Sequence, residues 1–241
     1  MFASLSLAPP DPILGLTTAF REDPRAEKIN LSVGIFQDAQ GQTPILQSVK
    51  AAERRLLETE NDKSYLAIEG GAAYGRHVRA LMLGADHEAV QSNRALCAQT
   101  PGGTGALRVA ADLIRQQFPA ASVWLSKPTW ANHPAIFEAA GVPTKTYSYY
   151  DAKNFALDFD GMLADLSKVA AGDVVLLHGC CHNPTGVDPT PDQWRQIADR
   201  LAERGALPLV DFAYQGFGAG LTEDAAGLLE LCRPGSELLV A

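Results

Sequence analysis

Two five-residue runs constrain this chain more than anything else in it: Val174-Val-Leu-Leu-His178 and Leu207-Pro-Leu-Val-Asp211. Each is apolar along its length and turns polar only at its last residue. A strand with one face in water alternates apolar and polar residues, whereas a strand apolar at successive positions must be covered on both faces. Between the two runs lies the clearest helix signal in the chain. Thr190 can cap it, Pro191 suits its first position and Gln193 completes a capping box. Trp194, Ile197, Ala198 and Leu201 then recur at i, i+3, i+4 and i+7, which gives that helix one buried stripe. Strand, helix and strand in this order form a parallel pair joined by a crossover.

The alternation extends through most of the sequence. Helices are expected at Gln47–Glu60 and Ala72–Leu83, a short strand at Arg94–Gln99, a turn at Thr100–Gly105 and a helix at Ala106–Phe118 with apolar positions 107, 110, 111, 114 and 118. A strand at Val123–Ser126, a short helix ending near Glu138 and a strand at Lys145–Tyr150 follow, and Glu237–Ala241 begins one more. Residues 1–44, with Pro9, Pro10, Pro12, Pro24 and Pro44, read as an extended arm with short elements, and residues 45–241 as one large domain. The fold class is α/β, a mainly parallel sheet covered by helices, so ligands are expected outside the carboxyl ends of the strands.

Composition narrows the function. A net charge of −8 argues against a general nucleic-acid binder, which needs clustered Lys and Arg. Four cysteines, two of them adjacent at Cys180 and Cys181, form no dense disulfide framework. The first residues lack the basic and apolar regions of a signal peptide, and no run of eighteen apolar residues occurs. A reduced, cytoplasmic enzyme without membrane contact is the expectation.

Four segments at the expected strand ends could carry chemistry. Gly102-Gly-Thr-Gly105 opens a helix, where glycines let the backbone approach an anion and first-turn N–H groups point at it. A tight turn is the plainer reading of the same residues. A dinucleotide fingerprint would need glycine where Arg108 stands, and no Gly-Lys-Ser/Thr follows for a nucleoside triphosphate loop. Asp211 ends an apolar strand, where a carboxylate is costly unless a cation or donor meets it, although a cap or turn would also explain it. Tyr214 could donate into the same space. His178, Cys180, Cys181 and His182 lack the pair-plus-pair spacing of a zinc site, so no metal is expected. Asn183-Pro-Thr-Gly186 is a turn by composition, and Trp130 offers a flat face beside a strand end. Together these residues provide a phosphate cradle, a stacking face, a buried acid and two hydrogen-bonding groups. That set suits a planar pyridine bearing a phosphate and a phenolic oxygen, as in pyridoxal 5'-phosphate.

At this point the sequence resembles the aspartate/aromatic aminotransferase family of fold-type-I pyridoxal-phosphate enzymes. Thr100-Pro-Gly-Gly-Thr-Gly-Ala-Leu-Arg108, His178-Gly-Cys-Cys-His-Asn-Pro-Thr-Gly186 and Asp211-Phe-Ala-Tyr-Gln-Gly-Phe217 carry the resemblance, which extends from Asp11 to the last residue. It implies that Gly102, Gly103 and Thr104 hold the cofactor phosphate and that Trp130 stacks on the ring. Asp211 would pair with the ring nitrogen, and Asn183 and Tyr214 would bond the phenolic oxygen. His133 and His178 would orient Asp211. Gly34, with Trp130 and Asn183, would meet the substrate, and Tyr65 would reach the phosphate of a neighbouring subunit, making a homodimer with shared sites. The first 44 residues would belong partly to a smaller domain. The implied reaction is amino-group transfer between an amino acid and a 2-oxo acid. A lyase or decarboxylase on the same fold, or a non-catalytic cofactor binder, remains an alternative. The family's cofactor-bearing lysine would follow the strand beginning at Glu237, beyond Ala241, so the chain is expected to be part of a longer enzyme.

Overall fold

The computed structural model describes residues 12–29 and 36–241. The chain divides into two compact units, Met1–Ser64 and Tyr65–Ala241. The first unit contains α1 (Pro12–Glu22) and α2 (Gln47–Thr59). Proline at the opening position of α1 removes no helical hydrogen bond, so a proline-rich stretch still forms an 11-residue helix there.

The second unit begins with α3 (Ala72–Leu83), α4 (Glu88–Gln91) and α5 (Gly102–Gln117). Then come β1 (Val123–Lys127), α6 (Asn132–Ala139), β2 (Thr144–Ser148), the short pair β3 (Tyr150–Asp151) and β4 (Ala156–Leu157), and α7 (Phe159–Leu166). The chain continues through β5 (Val174–His178), α8 (Pro191–Arg204), β6 (Leu207–Asp211), α9 (Ala226–Leu231) and β7 (Leu239–Val240). Five strands form one sheet in the order β2-β1-β5-β6-β7, and every neighbouring pair is parallel.

Successive residues of the central strands enter different cores. Val123, Leu125, Val174, Leu176 and Leu209 pack with α5 and α6, while Trp124, Val175, Leu177 and Val210 pack with α7, α8 and α9. The apolar run in β5 is explained by this two-sided burial: Val174, Val175 and Leu176 are fully buried and Leu177 nearly so. Each such side chain contributes roughly 1.5–3 kcal/mol by leaving water. The capping box of α8 forms as expected, with Gln193 N donating to Thr190 Oγ1 at 3.3 Å and Thr190 N to Gln193 Oε1 at 2.8 Å. Trp194, Ile197, Ala198 and Leu201 are the buried residues of that helix.

Four expectations are corrected. Helix α5 starts at Gly102 and not at Ala106, so the glycines are its first turn and not a turn preceding it. Phe118 lies past the end of α5 and is exposed, so the apolar stripe stops at Ile114. Arg94–Gln99 is not a strand: among the described residues none pairs with it as a ladder. Only single bonds such as Gln99 N to Glu69 O, 2.8 Å, hold it, and Leu96 is exposed. The expected strand at Lys145–Tyr150 is broken into β2 and β3. Among the described residues, no helix is long and apolar enough to cross a membrane.

Candidate active site

The strand order reverses between β1 and β5: the chain first steps outward from β1 to β2, then crosses back to β5 and proceeds the other way. In parallel sheets such a reversal opens a crevice at the carboxyl ends of the two strands. β1 runs into Pro128-Thr-Trp130, β5 ends on His178, and β6 ends on Asp211, which is in register with His178.

Four side chains from these ends form a continuous hydrogen-bonded series. Asn183 N donates to His178 Nδ1 at 3.3 Å, and His178 Nε2 meets Thr129 Oγ1 at 3.1 Å. Thr129 Oγ1 meets His133 Nδ1 at 2.7 Å, and His133 Nε2 meets Asp211 Oδ2 at 2.9 Å. Burial, then the neighbouring rings of His182 and His133, push the His178 imidazole down to about 3, against the pull of Asp211. His178 is therefore neutral and carries one ring proton. Because its Nδ1 accepts, that proton lies on Nε2 and goes to the Thr129 oxygen. Thr129 Oγ1 in turn bonds His133 Nδ1, and His133 Nε2 donates to Asp211 Oδ2. The series thus ends in a donor aimed at a carboxylate.

Its surroundings make the direction matter. His133 is fully buried and the Asp211 side chain is 13% exposed. Oδ2 is occupied by His133, and no hydrogen bond reaches Oδ1 from the described residues. A carboxylate so placed is costly without partners, and it presents negative charge to whatever fills the crevice. Trp130 stands edge-on to His133, with ring centroids 5.3 Å apart and planes at 88°.

The start of α5 is built differently. Gly102 has φ +72°, open to glycine but strained for other residues, and a Cβ built on Gly102 or Gly103 would meet nothing within 4 Å. No side chain caps the helix, whose first residue follows Pro101. Gly102, Gly103 and Thr104 are exposed. An uncapped first turn of a 16-residue helix concentrates partial positive charge on N–H groups that an anion can reach. A ligand anionic at one end and cationic at the other would meet both features, and a phosphorylated pyridinium has that character.

The remaining expected residues fall as follows. Asn183 and Tyr214 are half-buried on the loops after β5 and β6, and Tyr214 packs against the core beneath α8. Tyr65 is fully exposed at the first position of the second unit. Gly34 lies outside the described residues. Thr129 and Ser126 go unrecognised in the sequence, where His182 is weighed only as a metal ligand. Thr129 stands four residues before His133 in a helix-entry segment, a spacing that could have suggested the contact. His182 is buried, with Nε2 at 2.9 Å from Ser126 Oγ and Nδ1 at 2.8 Å from Thr185 Oγ1. Its ring stacks on Tyr149 at 3.8 Å and lies 4.1 Å from that of His178. Burial pushes it down to about 4.

Comparison with known proteins agrees with this geometry. A family model described as aminotransferase class I and II matches residues 26–241. The chain is 55% identical over all 241 residues to an aspartate aminotransferase of Haemophilus influenzae, spanning 61% of that protein's length. An aromatic amino acid aminotransferase structure from Burkholderia cenocepacia superposes with a TM-score of 0.96 at 48% identity, covering the whole of this chain and 60% of the other. An aromatic-amino-acid aminotransferase from Burkholderia pseudomallei, solved covalently bound to pyridoxal phosphate, superposes at 0.95 with 43% identity over the same shares, 100% and 60%. The sheet order, the acid at the end of β6, the glycine start of α5 and these matches converge, and the chain belongs to the class I and II aminotransferase family.

Proposed function

We propose that the whole protein carrying this sequence transfers an amino group between aspartate, glutamate or an aromatic amino acid and 2-oxoglutarate or another 2-oxo acid, using pyridoxal 5'-phosphate. One observation carries the reading: a strand-end carboxylate, Asp211, held at 2.9 Å by a fully buried His133 at the carboxyl end of the parallel sheet. The covalently bound pyridoxal phosphate in the Burkholderia pseudomallei relative supports the choice of cofactor.

The residues of this chain bind and tune. Asp211 pairs with the ring nitrogen and keeps it protonated, because a fixed, poorly solvated carboxylate favours a cation beside it. The His178–Thr129–His133 series fixes the orientation of that carboxylate. Gly102, Gly103 and Thr104 take the phosphate, Trp130 covers one ring face, and Asn183 and Tyr214 donate to the phenolic oxygen. When bound, the cofactor supplies an electron sink for bond breaking at the substrate α-carbon. Trp130 and Asn183 border the substrate. Residues 45–241 act as the cofactor-binding domain, with residues 1–44 an arm of a smaller one. Exposed Tyr65 serves the site of a second copy in a homodimer, and cysteines left free among the described residues suit a cytoplasmic location.

The whole protein, supplied with pyridoxal phosphate and 2-oxoglutarate, should form glutamate from at least one of aspartate, phenylalanine and tyrosine. Release of ammonia or carbon dioxide in place of glutamate would instead mark a lyase or decarboxylase. Transfer from none of these donors contradicts the proposal.

A further inference from the structure

The loop after β6 carries Tyr214 and folds around a single side chain. Gly216 N and Gly218 N donate to Asp224 Oδ2 at 2.8 and 2.9 Å, and Ala219 N and Gly220 N donate to Oδ1 at 2.7 and 3.4 Å. Asp224 N returns a bond to Gly220 O at 2.9 Å. Asp224 is 7% exposed, and no Lys or Arg among the described residues pairs with it. Burial alone would raise its carboxyl, but the four backbone N–H groups act against that and hold it below the ordinary carboxylate range. A carboxylate balanced by backbone dipoles alone fixes the path of the backbone that supplies them.

That path leads to Tyr214. Phe217 N donates to Tyr214 O at 3.0 Å, so the residues tied to Asp224 also close the turn that Tyr214 opens. The Gln215 side chain fastens the same turn to Leu81 O at 3.0 Å and to Leu221 O at 2.8 Å. The fit around the carboxylate is close, since a Cβ on Gly218 would stand 2.6 Å from Asp224 Oδ1. Asp224 therefore has a rigid connection to the Tyr214 backbone and no hydrogen bond to any residue assigned to cofactor or substrate.

We propose that Asp224 is a positioning residue, which sets the place of the Tyr214 phenol by anchoring the backbone of residues 216–220. The inference rests on the cofactor reading given above, in which that phenol donates to the ring oxygen. The test uses the whole protein loaded with pyridoxal phosphate, reading the pH midpoint of the bound cofactor's visible absorbance together with the melting temperature. Tyr214→Phe supplies the reference shift. Asp224→Asn should move the midpoint in the same direction by at least half as much, and should add no shift in the Tyr214→Phe background. Gly218→Ala, which presses a methyl group on Oδ1, carries the same expectation and serves if Asp224→Asn fails to fold. A lower melting temperature with an unmoved midpoint, or an equal shift with and without the Tyr214 hydroxyl, overturns the inference while leaving the cofactor reading intact. A wild-type protein with no cofactor absorbance, or a midpoint indifferent to Tyr214→Phe, overturns the cofactor reading or its Tyr214 contact, and this inference with it.

Discussion

At one end of the candidate site Asp211, His133, Thr129 and His178 bond one to the next, with His133 fully buried. At the other, Gly102, Gly103 and Thr104 lie exposed at the start of α5 and no side chain caps them. The difference follows from what each end uses to attract a ligand. A buried formal charge is unfavourable at all times, so its partners must be permanent parts of the fold. Helix N–H groups carry only partial charge and remain hydrated in the absence of a ligand, so they need no internal partner. Perturbing the acid end should therefore cost stability as well as activity, whereas perturbing the α5 end should cost ligand affinity alone.

The largest expected effect is at the acid. Asp211→Ala in the whole protein should lower kcat/KM by roughly 10²–10³-fold, the scale of removing a preorganised electrostatic partner. A loss of only a few-fold would place the decisive charge elsewhere. Thr129→Val comes next. It keeps the shape and removes the hydroxyl shared by His133 Nδ1 and His178 Nε2. Urea unfolding should show a loss of roughly 1–3 kcal/mol, restored largely by Thr129→Ser. An unchanged midpoint would show that the series is not held together through this oxygen.

The two buried imidazoles give the comparison a pH dependence. His178 is pushed down to about 3 and His182 to about 4, whereas the unfolded chain takes up those protons near the ordinary value of 6.5. Below 6.5 the unfolded state binds more protons than the folded state, so stability is full above that pH and falls as pH drops toward 4. Each ring contributes a slope on the order of 1 kcal/mol per pH unit in that window. Unfolding midpoints of wild type and of His178→Gln between pH 7 and 5 should show a shallower slope in the variant, and equal slopes would contradict a neutral His178. The smallest effect belongs to the α5 end. Gly103→Ala should change stability by no more than about 1 kcal/mol, in either direction. It should nevertheless weaken pyridoxal phosphate binding several-fold, as measured by titration of the whole protein. A large stability loss with unchanged affinity would erase the distinction between the two ends.

The acid end was partly legible in the sequence because its frame is local. Apolar strands that finish on His178 and Asp211, with a capped helix between, announce a parallel pair and place two polar residues side by side. Thr129 was not legible as the link, since its role depends on His133 and His178 converging from different strand ends. The same holds for Asp224, one acid in Thr222-Glu-Asp-Ala225, which becomes significant only when a glycine loop wraps it. At the α5 end the glycines marked the place but obscured the boundary. Low helix propensity argues for a turn through Gly105, yet the first turn of a helix needs no internal N–H partners and tolerates glycine. The segment 94–99 misled in the opposite sense, because strand propensity means little where no neighbouring strand supplies a ladder.

The central claim is that Asp211, oriented by His133, holds a protonated pyridine nitrogen. Nuclear magnetic resonance of the whole protein loaded with cofactor labelled by ¹⁵N at the ring nitrogen reads that state directly. A protonated nitrogen near neutral pH in the wild type, and an unprotonated one in Asp211→Ala, is the result predicted. The same protonation state in both proteins would contradict the account.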